Sequence, residues 1–456
     1  MPSMSTEMKI FGPVFWASAG TAAATLRAHA ASRTMARFIG ILQRGRARQP
    51  SRTKPGEGRR QHATTTPAAR QAARVAAGPA HPSTPLSTAP TLLHDSSVPT
   101  RPASSISVLI CTYNRAERLE ETLAAFGSVR IPDGSRVEMV VVDNHSTDAT
   151  AAVIARHARR LPFPMITAVE TRQGKSFALN TGLALATGEI VALTDDDVVP
   201  DAAWLEGIAR AFRRPGLTFA FGKVLPRWEQ PPPPRLLTRE AQAIWGPLAL
   251  VDYGDREVRY VPDRFGADRF PIGANLAFTR AALRRVGGWR NDLGKVDNSL
   301  IAGEDYEIFH RLRRAGLFNG LYDPSIVVHH FVPASRVSRR YFRRWFYWNG
   351  RTIARMLPDY YDGLDFRQVP LVAGVPRFLY RQALGQAAVC LRTWTRRDPL
   401  ERWIQHLYAV RYVGIMTECW RAAARRKRLV DVPAAGSAVA APADADRRTD
   451  GRGEAV

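Results

Sequence analysis

The sequence contains little cysteine, and its three cysteines are far apart. Cys111, Cys390 and Cys419 form no CxxC pair. This spacing argues against a disulfide framework and against a cysteine-based zinc site. The pattern is typical of a protein in a reducing compartment.

Long apolar runs are also missing. No segment approaches the roughly 18–20 consecutive apolar residues that a membrane-spanning helix requires. We therefore expect no transmembrane helix in this sequence. The 456 residues are nevertheless 45% hydrophobic, which is enough to build the core of an enzyme-sized domain.

Acidic residues are scarce, but only at the two flanks of the chain. The net charge is +24. Residues 1–100 carry 13 basic and 3 acidic groups, and residues 331–430 carry 20 and 6. Residues 101–330 hold 29 basic and 27 acidic groups, so the middle of the chain is nearly neutral. This distribution makes a nucleic-acid partner unlikely.

Composition divides the chain into four parts. Arg, Ala, Pro, Ser and Thr dominate from about residue 40 to residue 104, and too few large apolar groups are present there to offset the entropic cost of ordering. We predict a disordered, low-complexity basic arm over 1–104 and a disordered tail over 431–456. Between them we expect a folded domain over 105–335 and a basic, aromatic helical region over 336–430.

The folded domain alternates strands with helices. Apolar patterns predict strands at 106–111, 137–142 and 190–193, and helices at 117–126, 148–158 and 178–186. This alternation predicts an α/β fold with a mostly parallel sheet flanked by helices.

Polar residues follow three of the predicted strands. They are Thr112-Tyr113-Asn114, Asp143-Asn144-His145-Ser146 and Asp195-Asp196-Asp197. Each group alone could be an ordinary turn or helix cap. Ligands of such sheets bind beyond the carboxyl ends of the strands, and three adjacent carboxylates are costly unless a cation such as Mg²⁺ or Mn²⁺ lies among them. Together the groups favour a nucleotide site with a divalent metal.

Seven motifs occur in an order that resembles family 2 glycosyltransferases of the GT-A fold, which use nucleotide sugars. The match runs from about residue 106 to residue 351. The motifs are SVLICTYNR (107–115), VVDNHSTD (141–148), GKSFALNTG (174–182), ATGE (186–189), DDD (195–197), GAN (273–275) and GED (303–305). Their order is specific for the family but not for a substrate. The resemblance implies that residues 105–335 form the GT-A catalytic domain.

The resemblance also implies a donor-binding set. Its members are Thr112, Tyr113, Asn114, Asp143, Arg172, Lys175, Asp195, Asp196 and Asn275. In this interpretation Asp143 accepts a hydrogen bond from the nucleobase, and Lys175 and Arg172 lie against the diphosphate or the donor sugar. A solvated loop lysine is the alternative for Lys175. A UDP-sugar is the expected donor.

The same resemblance implies a metal and a catalytic pair. Asp197, with His330 as a second ligand, would bind Mn²⁺ or Mg²⁺, although paired histidines at a strand end can also be structural. Asp305, with Glu304 beside it, would act as general base in a single displacement that inverts the anomeric centre. Simple helix capping is the alternative for both acids.

Arginine alternates with Trp, Phe and Tyr over much of residues 336–428. Helical patterns at 375–394 and 400–420 fit either amphipathic helices that contact an anionic membrane surface or a helical lid over the catalytic domain. Tyr341 occupies the position of the glutamine in the Gln-x-x-Arg-Trp signature of processive synthases, which argues against that class.

The sequence therefore predicts an inverting hexosyltransferase-like enzyme acting on a glycan or lipid-linked acceptor in cell-envelope or exopolysaccharide synthesis. We expect it in the cytoplasm, peripheral on the inner face of the plasma membrane. Two alternatives remain open at this point. One is a nucleotidyltransferase, although its Gly-rich loop is missing after the first strand, and the other is a non-catalytic glycan- or lipid-binding protein.

Overall fold

The computed structural model describes residues 105–261, 271–296, 299–361, 364–395 and 398–425. The predicted arm over 1–104 and the predicted tail over 431–456 lie outside these described residues.

Four parallel strands form one half of the main sheet. In chain order they are β1 (Ser105–Thr112), β2 (Arg136–Asp143), β3 (Met165–Val169) and β4 (Ile190–Asp195), and their spatial order is β3-β2-β1-β4. The apolar runs of β1, β2 and β4 are almost completely buried, as expected for strands covered on both faces.

Three helices connect these strands. They are α1 (Ala116–Phe126), α2 (Thr150–His157) and α3 (Lys175–Leu185). The alternation confirms the predicted α/β class and the positions of β1, β2 and β4, whereas β3 was not predicted. The third helix begins at Lys175, three residues before its predicted start, so that Lys175 stands at a helix N-terminus.

The other half of the sheet is mixed, and the sequence indicated only the strand that carries the paired histidines. Its strands are β5 (Val198–Pro200), β6 (Phe219–Trp228), β7 (Val258–Tyr260), β8 (Leu276–Thr279) and β9 (Gly320–Val332). β8 is antiparallel to both β4 and β6, and β9 is parallel to β6. β5 and β7 pair antiparallel with β9. Helices α4 (Trp204–Phe212), α5 (Arg280–Arg285) and α6 (Glu304–Arg314) belong to this half.

Strand register brings the predicted polar groups together. Thr112 is directly opposite Asp143, and Cys111 is opposite Asp195. On the far side, Val198 is opposite His330, and the Phe331 amide donates to the Asp197 carbonyl oxygen at 2.9 Å. The carboxyl ends of β1, β2 and β4 therefore meet the end of β9.

The C-terminal region is helical, as predicted. It contains α7 (Arg339–Arg355), α8 (Leu357–Tyr360), α9 (Arg377–Trp394) and α10 (Pro399–Ala424), with the short strands β10 (Leu371–Val372) and β11 (Val375–Pro376) between α8 and α9. Ser338 and Asp398 cap α7 and α10 by accepting backbone amides. Within the described residues, none of the helices has the length and apolar character needed to cross a bilayer.

Two glycines allow α7 and α10 to cross with their backbones in contact. A Cβ atom on Gly350 of α7 would lie 1.9 Å from the Arg411 carbonyl oxygen. A Cβ atom on Gly414 of α10 would lie 2.0 Å from the Tyr347 carbonyl oxygen. Both distances are far inside van der Waals contact, and the obstructing atoms are backbone atoms that cannot rotate away.

We expect Gly414→Ala to destabilise the protein, because the added methyl group must push α7 and α10 apart. Overpacking of this kind costs about 1–3 kcal/mol. The midpoint of thermal unfolding, followed by circular dichroism, should therefore fall by several degrees.

Gly385→Ala is the matched control. Gly385 lies in the interior of α9, and no atom lies within 4 Å of the Cβ position there. Alanine should stabilise that helix by about 0.5–1 kcal/mol. Equal midpoints for the two variants would contradict the tight crossing.

Candidate active site

The first two motifs are joined by hydrogen bonds at the ends of β1 and β2. Asn114 has φ of 50°, and its side-chain oxygen accepts the Thr147 amide at 2.7 Å. Asp143 is buried, and its carboxylate accepts the Ser146 amide at 2.9 Å. Tyr113 is 40% exposed. The polar groups that follow β1 and β2 are therefore held together, with the Tyr113 side chain partly exposed beside them.

The end of β1 also contacts the carboxylate cluster. The Thr112 hydroxyl donates to Asp196 at 2.8 Å. Asp196 and Asp197 are 8% and 6% exposed. Burial raises the pKa of Asp196 to about 6, even though the Arg115 guanidinium lies 3.5 Å away. The cluster therefore concentrates negative charge in a place where water cannot fully screen it.

Lys175 links the cluster to the later acidic motif. Its ammonium lies 2.9 Å from Asp195 and 3.8 Å from Glu304. Burial by itself would raise the pKa of Asp195, but the charge and hydrogen bond of Lys175 hold it below its usual range. Three motifs that are far apart in sequence thus share one cation.

Asp197 lies between His330 and Arg115. His330 Nε2 is 3.4 Å from one carboxylate oxygen, and Arg115 Nη1 is 2.5 Å from the other. Burial lowers the pKa of His330, so the imidazole is neutral and has a lone pair to offer. The Arg336 guanidinium lies 3.3 Å from the same Nε2 atom.

Asp197 and His330 fit a divalent ion that is shared with a ligand. The two donor atoms are close enough to bind one ion together. In the described parts of the chain, no group of three or more His, Cys, Asp or Glu side chains could hold a metal alone. Mg²⁺ is commonly bound by one or two carboxylates together with water and the phosphates of a substrate. The donor set therefore suits an ion completed by phosphate oxygens.

Sequence reasoning missed three cations of this site. Arg115, Lys295 and Arg336 all act electrostatically on the carboxylate cluster. Arg115 directly follows the Thr112-Tyr113-Asn114 group, so its position in the motif could have revealed it. Lys295 and Arg336 carry no such signal, because only folding brings them to the cluster. With Lys175, these cations add positive charge around the three aspartates.

Asp305 lies at the N-terminus of α6, and only one of its two carboxylate oxygens accepts a hydrogen bond in the described structure. The Gly273 amide donates to Oδ2 at 3.0 Å, whereas Oδ1 is buried and has no hydrogen bond in the described structure. A Cβ atom on residue 273 would lie 2.6 Å from Oδ1, which explains the glycine of the GAN motif. An oriented carboxylate with one unpaired oxygen can accept a proton.

Glu304 is more deeply buried than Asp305. It is 4% exposed, and its Oε2 atom has no hydrogen-bond partner in the described structure. Burial, and after it the charge of Asp305, raises the pKa of Glu304 to about 7. Near neutral pH Glu304 therefore holds a proton for part of the time.

The structure places two expected donor-binding residues in contacts with the protein itself. Asn275 accepts from Trp204 Nε1 at 2.9 Å and donates to the carbonyl oxygens of Lys223 and Ile326. Both N–H groups and the oxygen of this buried amide link the start of β8 to β6, β9 and α4. These hydrogen bonds position the strands, and the expected contact of Asn275 with the nucleotide sugar stays a prediction.

Arg172 also binds another part of the protein. Its guanidinium makes hydrogen bonds to both oxygens of Glu170, at 2.9 and 2.7 Å, and lies over the Phe177 ring. The hydrogen bonds from Arg172 lower the pKa of Glu170. The side chain of Arg172 is 63% exposed, so a ligand could reach it. Such a ligand would have to compete with Glu170 for the guanidinium.

Comparison with known proteins identifies the family. Residues 107–287 match the family model described as Glycosyl transferase family 2. The chain is 26% identical over 315 residues to the succinoglycan biosynthesis protein ExoM of Rhizobium meliloti, covering 68% of this chain and 92% of that protein. It is 27% identical over 214 residues to the poly-beta-1,6-N-acetyl-D-glucosamine synthase of Staphylococcus epidermidis, covering 46% of this chain and 48% of that protein.

A solved structure also resembles the chain. The mannosyltransferase PcManGT from Pyrobaculum calidifontis, in complex with GDP-Man and Mn²⁺, is 22% identical and aligns with a TM-score of 0.41 over 73% of this chain and 88% of that one. The family match covers β1 to β8 and includes the carboxylate cluster, Lys175 and Gly273. Over residues 107–287, which include these residues, the chain matches glycosyltransferase family 2.

Proposed function

We propose that this glycosyltransferase moves a hexose from a nucleoside-diphosphate sugar, with UDP as the expected nucleotide, to a hydroxyl group of a glycan or lipid-linked acceptor. The proposed setting is cell-envelope or exopolysaccharide synthesis. The observation that carries the proposal is the position of Lys175 between Asp195 and Glu304, because it joins the donor motif and the acidic motif into one site.

The donor side is supported by the charges around the carboxylate cluster. Asp197 and His330 would hold Mn²⁺ or Mg²⁺, which when bound offsets the negative charge that develops on a departing diphosphate. Arg115, Lys175, Lys295 and Arg336 would bind and orient the phosphates. The nucleoside pocket would lie at the ends of β1 and β2 and would be formed by Thr112, Tyr113, Asn114 and Asp143. Asp196, the middle residue of the three aspartates, lies next to it.

The acceptor side is supported by the geometry of Asp305. The Gly273 amide fixes one carboxylate oxygen, and the other would take the proton of the attacking hydroxyl. The hydroxyl oxygen forms a bond to the anomeric carbon while the bond from that carbon to the diphosphate oxygen breaks. Attack from the face opposite the leaving group inverts the configuration at that carbon. Glu304 would position this arrangement through Lys175.

The two alternative functions are less well supported. Membership of the family disfavours a nucleotidyltransferase. A non-catalytic binding protein would not need an oriented carboxylate with an unpaired oxygen, which Asp305 supplies. It would also not need a buried metal carboxylate among cations, and Asp197 beside Arg115 has that position.

We further propose that residues 336–430 form a region with two surfaces, next to a catalytic domain over 105–335. One surface lies against the start of α6, where the Ala302 amide donates to Thr352 Oγ1 at 3.2 Å. The other lies on α9, where Leu384, Leu391 and Trp394 are 72–75% exposed. Basic residues of α9 and no acidic ones accompany this apolar surface, which suits an anionic membrane surface on the cytoplasmic side.

Asp197→Ala should weaken metal-dependent nucleotide binding by at least about 10-fold, because it removes a ligand of the proposed ion. Calorimetric titration with UDP, GDP and dTDP, each with and without Mn²⁺, measures this loss and identifies the nucleotide. Asp133→Ala changes an exposed turn carboxylate and should bind like the wild type. Equal nucleotide affinity of the two variants would rule out the metal role.

Asp305→Asn should reduce turnover by about 10²- to 10⁴-fold, the usual contribution of a general base, while Mn²⁺-dependent nucleotide binding is retained. Turnover is measured as release of nucleoside diphosphate from a sugar donor that carries the nucleotide identified by the titration. Glu117→Gln, an exposed acid in the first turn of α1, is the control and should keep full activity. Loss of nucleotide binding together with turnover would count against a base role for Asp305.

Replacing Leu384, Leu391 and Trp394 together by serine should reduce flotation with phosphatidylglycerol-containing vesicles, because the apolar surface of α9 is lost. Flotation with vesicles of phosphatidylcholine alone should be weak for both proteins. The thermal midpoint of the variant should not fall, since these side chains are exposed. Unchanged flotation on anionic vesicles would exclude this surface as the membrane contact.

A further inference from the structure

A cavity of about 360 Å³ lies between α7 and side chains from residues 292–296 and 299–301. Its lining includes Asp292, Ser299, Ile301, Trp348, Arg351 and Arg355. None of these residues belongs to the donor side described above. The volume falls in the range of pockets that bind small ligands, and the lining combines an aromatic ring with a few polar groups.

The polar wall of the cavity is held in place by α10. A single carboxylate, that of Glu418, accepts Arg351 Nε at 2.7 Å and Arg355 Nε at 2.8 Å. Arg355 also donates to the Asp292 carbonyl oxygen at 3.0 Å. Each guanidinium has five N–H donors, so these contacts fix the two side chains and leave further donors for a ligand.

Trp348 supplies the apolar part of the wall. The Arg351 guanidinium lies 4.2 Å from the centroid of its ring and so helps to fix the indole. A pyranose ring has an apolar C–H surface and a rim of hydroxyl groups. The Trp348 indole matches the C–H surface, and the fixed arginine N–H groups match the hydroxyl rim.

The cavity lies close to the proposed base. Ile301, in its lining, is four residues before Asp305, a distance of at most about 14 Å along the chain. α7 is fixed against the same segment, because a Cβ atom on Gly303 would lie 2.6 Å from Thr352 Cγ2. The cavity and the α6 N-terminus therefore lie beside the same part of α7.

We propose that this cavity binds the sugar residue of the acceptor that carries the attacking hydroxyl, with Trp348 as the specificity-determining aromatic contact. The inference rests on the proposed function and adds to it the class of acceptor group, a pyranoside. It also explains why Glu418, on a helix far along the chain, holds two arginines of α7.

The test uses the full chain and saturation-transfer NMR with the methyl pyranosides of glucose, galactose and N-acetylglucosamine. At least one of them should receive saturation from the wild-type protein. Trp348→Ala should reduce that transfer by about tenfold, a loss typical of a truncated central aromatic contact. Trp348→Phe should retain most of it, because the aromatic ring remains.

Trp394→Ala is the matched control, since Trp394 is 75% exposed at the end of α9 and outside the cavity lining. It should bind the pyranosides like the wild type. Transfer that is unchanged in Trp348→Ala, or absent for all three pyranosides with the wild type, would overturn the inference.

Mn²⁺-dependent nucleotide titration of the same samples separates the two proposals. Trp348→Ala should bind nucleotide like the wild type, because Trp348 is outside the donor side. Wild-type protein that binds nucleotide but no pyranoside would refute the acceptor cavity alone. Wild-type protein that binds no nucleotide would refute the proposed function, whatever the pyranoside result.

Discussion

The ammonium group of Lys175 is the constraint on which the site depends. It lies between Asp195, at the end of β4, and Glu304, at the start of α6. Both carboxylates would otherwise repel each other in a poorly solvated cleft, where an uncompensated charge is very costly. The Lys175 ammonium thus allows the donor motif at Asp195 and the acidic motif at Glu304 to lie next to each other.

The surrounding charges follow the same logic. Three consecutive aspartates end or follow a buried strand, and the protein places Arg115, Lys295 and Arg336 around them. Such a cluster costs folding free energy if it serves only a structural purpose. The cost shows in Asp196, whose pKa burial raises to about 6. Its arrangement becomes reasonable when a divalent ion and the phosphates of a ligand complete it.

The C-terminal helices contribute by close packing and by one buried carboxylate. Gly350 and Gly414 let α7 and α10 approach until their backbones touch. This contact brings Glu418 to Arg351 and Arg355, and it presses α7 against Gly303 at the start of α6. The geometry near Asp305 therefore depends on a helix that ends more than one hundred residues later.

Local patterns alone predicted three of the four strands in the first half of the sheet and the polar groups that follow them. The apolar runs of β1, β2 and β4, which are buried on both faces, stand out in the sequence because nearly every residue in them is apolar. The polar residues that end these strands could be predicted to meet, since parallel strands present their carboxyl ends at one edge. The motifs around Asp195, Gly273 and Asp305 were sufficient to indicate the family.

The short antiparallel strands β5, β7 and β8 were not predictable in this way, because three or four residues are too few to show a period. Tertiary structure also decided the partners of individual side chains. Arg172 pairs with Glu170, and Asn275 makes hydrogen bonds within the protein, and no local pattern indicated either set of partners. Conversely, Lys295, Arg336 and Trp348 carry no motif, and only folding brings them to the cleft and its neighbouring cavity.

The sequence by itself thus determined which chemical groups stand at the strand ends, because hydrophobic periodicity is a local property. Which of these groups face a ligand and which face one another depends on distances between residues far apart in the chain. Only tertiary packing sets those distances, and through them the local charge balance.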